Sequence, residues 1–387
     1  MRPDFSIHEK TEPMTIVHIV EPFASGVAVF VRSLTEAMPD DLHIIVHGER
    51  KSEMSAREVK KNFPRENVRF IKWRSAGRSI HLFKDVMALT ELYKILNRLK
   101  HKRMVDAVHL HSSKSGLLGR IACRLAGISN IFYTPNGASF LSASNRFSRL
   151  LYQQLEKLSH KLLGGTVICC SASELEQYQK IGIIGDYINN GITIKTSHKP
   201  VYKPSAGKFT VVTSGRIENQ KDPALFNTIA SWFEGMPYIQ FIWVGDGQDK
   251  VLFTSKNIKV TGWLDTEQVN EYVFSADVFL STSKYEGLSF SVLEALALKK
   301  AVLLSNCTGN VDIVKNGING DLFTNANDAI IKILQYYNNR EMLDVMGGYS
   351  RDICKKEFNG KENFKSYREL YAGSLIPKGA RAIWSLG

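Results

Sequence analysis

Two cations in the second half of the chain have the type and spacing to hold a leaving phosphate. In GRIENQKDP, Arg216 and Lys221 stand five residues apart on a segment that follows the apolar run 209–213 and leads into a helix near Pro223. Cations at the carboxyl end of a strand, beside a helix N-terminus, can bind a diphosphate and neutralise it as it departs. Taken alone, the pair describes two solvated cations on a surface loop just as well. Further on, TSKYEGLSFSVLEALAL puts Glu286 at a strand end and Glu294 eight positions later, inside a helix beginning near Ser291. The intervening loop spreads the carboxylates, so each can meet a different part of one extended ligand. Gly287, Leu288 and Ser289 offer backbone N–H groups at the helix start. A carboxylate accepting from vicinal hydroxyls, with amides aimed at phosphate, suits a nucleotide sugar. As bare spacing, two solvated glutamates fit as well. Near the N-terminus, Ser25 and Gly26 lie between a strand and a helix running from about Val27. A glycine there lets backbone amides approach phosphate, although a plain strand-to-helix turn looks the same and the GxGxxG spacing is missing. No Asp-x-Asp pair occurs, so the motif that commonly chelates a metal with a sugar diphosphate is absent, and no metal site is expected.

Positioning these groups requires strands that end where the loops begin. Strand candidates in the first half are 15–20, 42–47, 68–71, 107–111, 130–134 and 166–171, alternating with helical runs. Leu82, Val86, Leu89, Tyr93 and Leu96 recur at helical spacing, as do Leu117, Ile121 and Leu125, and both sets are read as core faces. KPVYKPSAG, at 199–207, gathers two prolines, a serine and a glycine before the next apolar run and marks a domain boundary. The alternation then repeats with strands at 209–213, 239–244, 258–261, 278–281 and 301–305. Two doubly wound parallel α/β domains facing one another are implied, with ligands outside the carboxyl ends of the strands.

A chain of 387 residues is long enough for two such domains, each with its own core. The first residues carry scattered charges and no apolar run, so no secretory signal is expected, and no stretch approaches the length of a membrane-spanning helix. Five cysteines without CxxC spacing argue against a disulfide framework or a zinc site and suit a reducing cytoplasm. The net charge of +12 is uneven: residues 50–103 hold 16 basic against 5 acidic side chains. That stretch is either a solvated surface or an attraction for anionic partners, with phospholipid headgroups or a lipid-linked phosphate ahead of nucleic acid, for which no aromatic-interleaved motif is present.

The segments GRIENQKDP, VGDGQDK, TGWLD and STSKYEGLSFSVLEALAL, in this order and spacing, resemble the donor-binding domain of family 4 of the retaining glycosyltransferases. AVHLHSSKSGLLGRIACRLAG, IFYTPNGASF and INNGI are similar to the acceptor-side domain of bacterial members that build capsule, exopolysaccharide or lipopolysaccharide glycans. The resemblance spans residues 15–371 and implies a GT-B fold, two Rossmann-like domains facing across a cleft. Residues 1–200 would form the acceptor-side domain, 201–358 the donor-binding domain, and 359–387 a helix crossing back to the first domain, followed by a tail.

Carried over position by position, Arg216 and Lys221 match the pair on the donor diphosphate, Glu294 the glutamate on the ribose hydroxyls, and Glu286 the one facing the transferred sugar. Gly26 matches the loop that closes over the diphosphate, and Gly262, Trp263 and Leu264 would lie beside the base. Asn136 stands where relatives often have the histidine of Thr-Pro-His-Gly; it can hydrogen-bond the donor sugar but cannot carry a proton. Lys299, Lys300 and Ala301 replace a common Gly and Pro. His111 matches a family position, and Lys114 with Ser115 opens the next helix on the acceptor side. The resemblance implies a retaining, metal-independent hexosyltransferase without a cofactor. It would use a nucleotide diphosphate-sugar, most commonly of uridine, and a glycan or polyprenyl-linked glycan acceptor, working in the cytoplasm or on the inner membrane face. Retention is expected through front-face attack, the departing phosphate taking the acceptor's proton, because no carboxylate in the motifs is an obvious nucleophile. Alternatives are a nucleotide-sugar epimerase on the same fold, which would need acid-base carboxylates, and a binding partner with a dead site. A Rossmann oxidoreductase lacks its fingerprint here.

Overall fold

The structure, a computed structural model, describes residues 12–49, 56–77, 81–143, 145–194 and 207–373. They fall into two compact units, 1–132 and 133–387. In the first, β1 (Thr15–Val20), α1 (Ser25–Ala37), β2 (Leu42–His47), α2 (Ala56–Lys60), β3 (Val68–Lys72), α3 (Leu82–His101), β4 (Ala107–His111) and α4 (Ser113–Leu125) alternate. The strands run parallel in the order β3-β2-β1-β4. Short apolar runs joined by helices leave the chain this arrangement, because a parallel sheet must be covered on both faces. The ladder sets Val17 of β1 between Ile44 of β2 and Val108 of β4.

The strand β5 (Ile131–Thr134) crosses the division. The second unit continues with α5 (Arg146–Leu163), β6 (Thr166–Cys169), α6 (Ala172–Lys180) and β7 (Gly185–Tyr187), the last two strands pairing in parallel. It then builds a six-stranded sheet from β8 (Phe209–Ser214), α7 (Pro223–Trp232), β9 (Ile239–Val244), β10 (Ile258–Val260), α8 (Thr266–Ser275), β11 (Val278–Ser281), α9 (Phe290–Ala297), β12 (Ala301–Ser305), β13 (Gly320–Phe323) and α10 (Ala326–Asn338). The order is β10-β9-β8-β11-β12-β13. Phe226, Phe241 and Trp243 meet edge-on in its core, beside Phe233, Leu280 and Leu303. α11 (Arg340–Glu357) and α12 (Gly360–Tyr371) end the described chain.

Several expectations shift in detail. β7 and β13 escaped the strand reading because three- and four-residue strands containing Gly and Asp carry little β signal. On α3 the buried stripe is Ala88, Leu92, Leu96 and Leu99, whereas Val86, expected in the core, is exposed. On α4 the buried residues are Leu118, Ala122 and Cys123, while Leu125 points outward. Leu96 lies in the core as expected, whereas Ala88, Leu92, Leu118 and Ala122 stand one residue away from the expected positions, since Leu and Val occupy the outer face too. The boundary expected at 199–207 falls, at 199–206, outside the described residues. Within the second unit, the chain after β7 is tied to the C-terminal helices: Ile192 N donates to Phe358 O at 3.0 Å and Gly360 N to Ile192 O at 3.0 Å. Parts of the basic stretch, 50–55 and 78–80, and the tail from 374 also lie outside the described residues.

Candidate functional site

In the six-stranded sheet the chain turns one way from β8, through β9 to β10, and then returns to place β11 on the other side of β8. Loops leaving adjacent strands in opposite directions open a crevice at their carboxyl ends. The two loops at this switch point are residues 215–222, after β8, and 282–289, after β11. They carry Arg216, Lys221 and Glu286.

The first loop ends at Asp222, whose left-handed backbone and side chain, accepting from Leu225 N at 3.2 Å, start α7 with Pro223 in its first turn. Thr282 Oγ1 of the second loop donates to Lys221 O at 2.6 Å, and Lys284 N donates to Gln220 O at 2.8 Å, so the loops are stitched through backbone carbonyls of the first. Lys221 Nζ then reaches Glu286 Oε1 at 2.8 Å, with the side chains 20% and 9% exposed. Gln220 Nε2 donates to the second oxygen, Oε2, at 3.3 Å. A cation and an amide thus satisfy the two oxygens of a carboxylate that is mostly out of water. Arg216 pairs with Glu218 at 3.1 Å. Behind Glu286, a Cβ built on Gly309 (φ +86) would lie 2.7 Å from the Glu286 Cβ, so that turn presses on the glutamate and tolerates no side chain.

Glu286 sits in the loop five residues beyond β11 rather than at the strand end. Gly287, Leu288 and Ser289 follow, all buried, and lead into α9, where Glu294 lies half-buried. Gly262 is left-handed (φ +77) and Trp263 is 59% exposed, on the turn between β10 and α8, with Leu264 half-buried beside it.

The stretch after β5 comes directly against this site. Asn136 is left-handed (φ +55); its Nδ2 donates to Thr134 O at 3.2 Å and its Oδ1 accepts from the Cys170 thiol. A Cβ on Gly287 would stand 2.8 Å from Gly137 N and 3.2 Å from Asn136 C, so the two loops touch backbone to backbone. Asn190 Nδ2 donates to Leu288 O at 2.9 Å.

Three residues that the sequence reading passed over hold this contact. Glu174, fully buried, accepts from Gly137 N at 2.7 Å and from Cys170 N at 2.8 Å. Burial pushes its carboxyl up to about 7, with Asp312 adding to the rise and the backbone donors opposing it. Ser173 accepts from Gly309 N at 2.8 Å, and its own N–H donates to Asp312 Oδ1 at 3.0 Å. The start of α6 thereby supports the Asn136 loop through Glu174 and the turn behind Glu286 through Ser173. The available signal was Ser171-Ala-Ser-Glu174, which has the pattern of a helix capping box. Ser171 does cap the helix, but the glutamate turns to Gly137 and Cys170 instead.

The first unit holds the remaining candidates. Its switch point lies between β1 and β4, where Gly26 and Lys114 follow the strands. Gly26 is exposed in the first turn of α1, which begins at Ser25 rather than Val27; the left-handed residue is Ser25 (φ +51). Lys114 is paired with Asp85 at 2.7 Å. His111 is fully buried, one of five buried histidines, with His18, His43, His47 and His109, on one sheet face beneath α1. His18 bridges His43 at 3.0 Å and His111 at 3.1 Å, and burial holds every ring below its usual range, His43 and His47 at about 4. Ring nitrogens of His18, His109 and His111 lie within 4.8 Å of one another, a ligand-like group that the cysteine count did not foreshadow. Its trace in the sequence is the alternation of VHIV, LHIIVH and VHLH, which puts every second residue on one face.

Comparison with known proteins identifies the family. Residues 24–195 match the model of Glycosyltransferase Family 4, and 195–352 match that of Glycosyl transferases group 1. The chain is 28% identical over 332 residues to the UDP-Gal:alpha-D-GlcNAc-diphosphoundecaprenol alpha-1,3-galactosyltransferase of Escherichia coli, covering 78% of this chain and 83% of that one. It is 22% identical to the capsular polysaccharide biosynthesis glycosyltransferase CapM of Staphylococcus aureus, with 76% and 82% covered. In structure it is similar to Anabaena HepE in complex with UDP-glucose, at a TM-score of 0.73 and 16% identity, over 94% of this chain and all of that one.

Proposed function

The chain belongs to the family 4 glycosyltransferases, built on the GT-B fold, and we propose that it moves a sugar from a uridine diphosphate-sugar to a lipid-linked glycan in bacterial surface-polysaccharide synthesis, with retention and without a metal. The observation that carries this reading is the Lys221–Glu286 pair at the switch point of the second sheet, with Arg216 on the same loop. In the donor complex, Arg216 and Lys221 would turn to the diphosphate and Glu286 to the sugar, with Glu294 on the ribose and the 262–264 turn beside the base. The C1–O bond to the diphosphate breaks as the acceptor oxygen bonds to C1 on the same face, and the acceptor's proton passes to the departing phosphate oxygen. The two cations stabilise charge on that oxygen, the work a metal does elsewhere. Asn136 supports the reading as a hydrogen-bonding neighbour of the sugar site without acid-base capacity. The acceptor follows from the Escherichia coli relative, whose name specifies a diphosphoundecaprenol substrate. We assign the basic stretch 50–103 to anionic headgroups.

Thermal-shift screening against nucleoside diphosphates and their sugars tests the donor. A ligand at 100 times its dissociation constant stabilises by about 2.7 kcal/mol, so the true donor should stand out. No shift with any uridine or other nucleoside diphosphate would remove the proposal.

A further inference from the structure

Helix α5 is turned inside out. Asn145 caps it, its Oδ1 accepting from Ser148 N at 2.8 Å, and Gly164 closes it with N–H donated to His160 O. Along its length the two buried residues are polar: Ser159, and Glu156, which accepts from Tyr133 Oη at 2.8 Å. The apolar side chains face outward, with Phe147, Leu150, Leu151, Leu155, Leu158 and Leu162 between 37% and 77% exposed. At 3.6 residues per turn, all of these except Leu150 fall within an arc of about 80°. Exposed Arg146, Lys157 and Lys161 line one edge of that arc. A helix in a water-facing wall carries the opposite pattern, and a contiguous apolar patch marks a contact surface.

We propose that α5 lies in the interfacial plane of an anionic phospholipid bilayer, its leucine stripe at the acyl boundary and Arg146, Lys157 and Lys161 among the headgroup phosphates. An amphipathic helix with cations beside a Leu/Phe face binds such a surface through both terms at once. Charge selects lipid over the other possible occupants. The only acid on α5 is Glu156, buried and already bonded, so a second copy seated on this stripe would set cation against cation. The C-terminal stretch 374–387 holds Lys378 and Arg381 and no acid, and would meet the same repulsion. Among the described residues no helix is long and apolar enough to cross a membrane, which leaves a face such as this one for membrane contact. The inference deepens the reading of a lipid-linked acceptor and rests on it only for its biological purpose, since binding needs neither donor nor acceptor.

The test is co-sedimentation of the full chain with vesicles of equimolar phosphatidylglycerol and phosphatidylcholine, beside vesicles of phosphatidylcholine alone. The variant Leu151→Ser/Leu158→Ser/Leu162→Ser changes only exposed side chains, so its melting temperature should match the wild type. Its partition onto the anionic vesicles should fall by about tenfold or more, while transfer to a water-soluble short-chain acceptor is unchanged. Arg146→Gln/Lys157→Gln/Lys161→Gln should show a smaller preference for anionic over neutral vesicles than the wild type, the remainder being held by the basic stretch 50–103. Equal partition of the wild type and the serine variant overturns the proposal, as does absence of wild-type binding to anionic vesicles. Concentration-dependent dimerisation that the serine variant abolishes also overturns it, in favour of a second copy. Intact vesicle binding with no sugar transfer would instead overturn the functional reading and leave this surface standing.

Discussion

Replacing Lys221 with Ala removes both the cation proposed to meet the diphosphate and the partner of a carboxylate that is only 9% exposed. The two losses can be separated. In the resting protein Glu286 would keep Gln220 alone, at 3.3 Å, and an unpaired, mostly buried charge is costly. Fully buried pairs broken on one side lose about 3 to 5 kcal/mol. Lys221 is 20% exposed, so water can partly replace it, and the expected loss is about 1 to 3 kcal/mol. Adding Glu286→Gln removes the stranded charge, so the double variant should be more stable than the sum of the single changes requires, with a coupling of about 1 to 2 kcal/mol. Activity should not recover. Loss of one preorganised donor to the leaving group lowers kcat/KM by about 2 to 4 kcal/mol in transition-state terms, and removing Glu286 as well restores none of it. Thermal or denaturant unfolding of the four proteins, with initial rates of transfer, measures both cycles. Lys221→Ala retaining kcat/KM within about tenfold would refute the phosphate role, and additive stabilities would refute the electrostatic account of the resting pair.

Other expectations follow from the same geometry. Activity should persist in EDTA; complete loss, restored by magnesium or manganese, would show that Arg216 and Lys221 do not replace a metal. Glu294→Gln should weaken nucleoside diphosphate binding by about 1.5 to 3 kcal/mol in calorimetry, whereas Glu286→Gln should leave that affinity nearly unchanged and lower single-turnover transfer. Equal losses of affinity would cancel this division of labour. Because the buried Glu174 carboxyl titrates at about 7 against 4.5 unperturbed, the folded state holds its proton longer than the unfolded chain. Its contribution to stability is therefore complete below pH 4.5 and is lost as pH rises toward 7. The buried histidines tilt the curve the other way, so the measurement is the difference in melting temperature between wild type and Glu174→Gln at pH 5 and pH 8, which should shrink or reverse on going up. Gly287→Ala should destabilise by about 1 to 3 kcal/mol, because its Cβ meets backbone at Gly137 and Asn136, whereas Gly348→Ala, with nothing within 4 Å in the middle of α11, should stabilise by about 0.5 to 1 kcal/mol. Matching melting shifts for the two would discredit the close approach of those loops.

The sequence by itself determined the alternation of strands and helices, because each β run is a short apolar block that declares itself in any context. β1, β2, β4, β9, β11 and β12 lie where those blocks are. It also supplied the candidates for a phosphate and ribose site, since Arg, Lys and Glu at strand-to-helix loops keep their chemistry wherever the loops go. Tertiary structure alone decided the rest. That β11 returns to the far side of β8, and so brings Glu286 within 2.8 Å of Lys221 across 65 positions, depends on strand order, which no local pattern encodes. Glu174 reads as a helix cap in the sequence and becomes the support of the Asn136 loop only when β5 and α6 are placed together. The same limit applies to α5. Its leucines recur at a period that describes a core helix as well as an exposed one, and the direction of the apolar face is fixed by Tyr133 taking Glu156 inward. Periodicity specifies that a face exists; what covers it is settled by the residues on neighbouring elements.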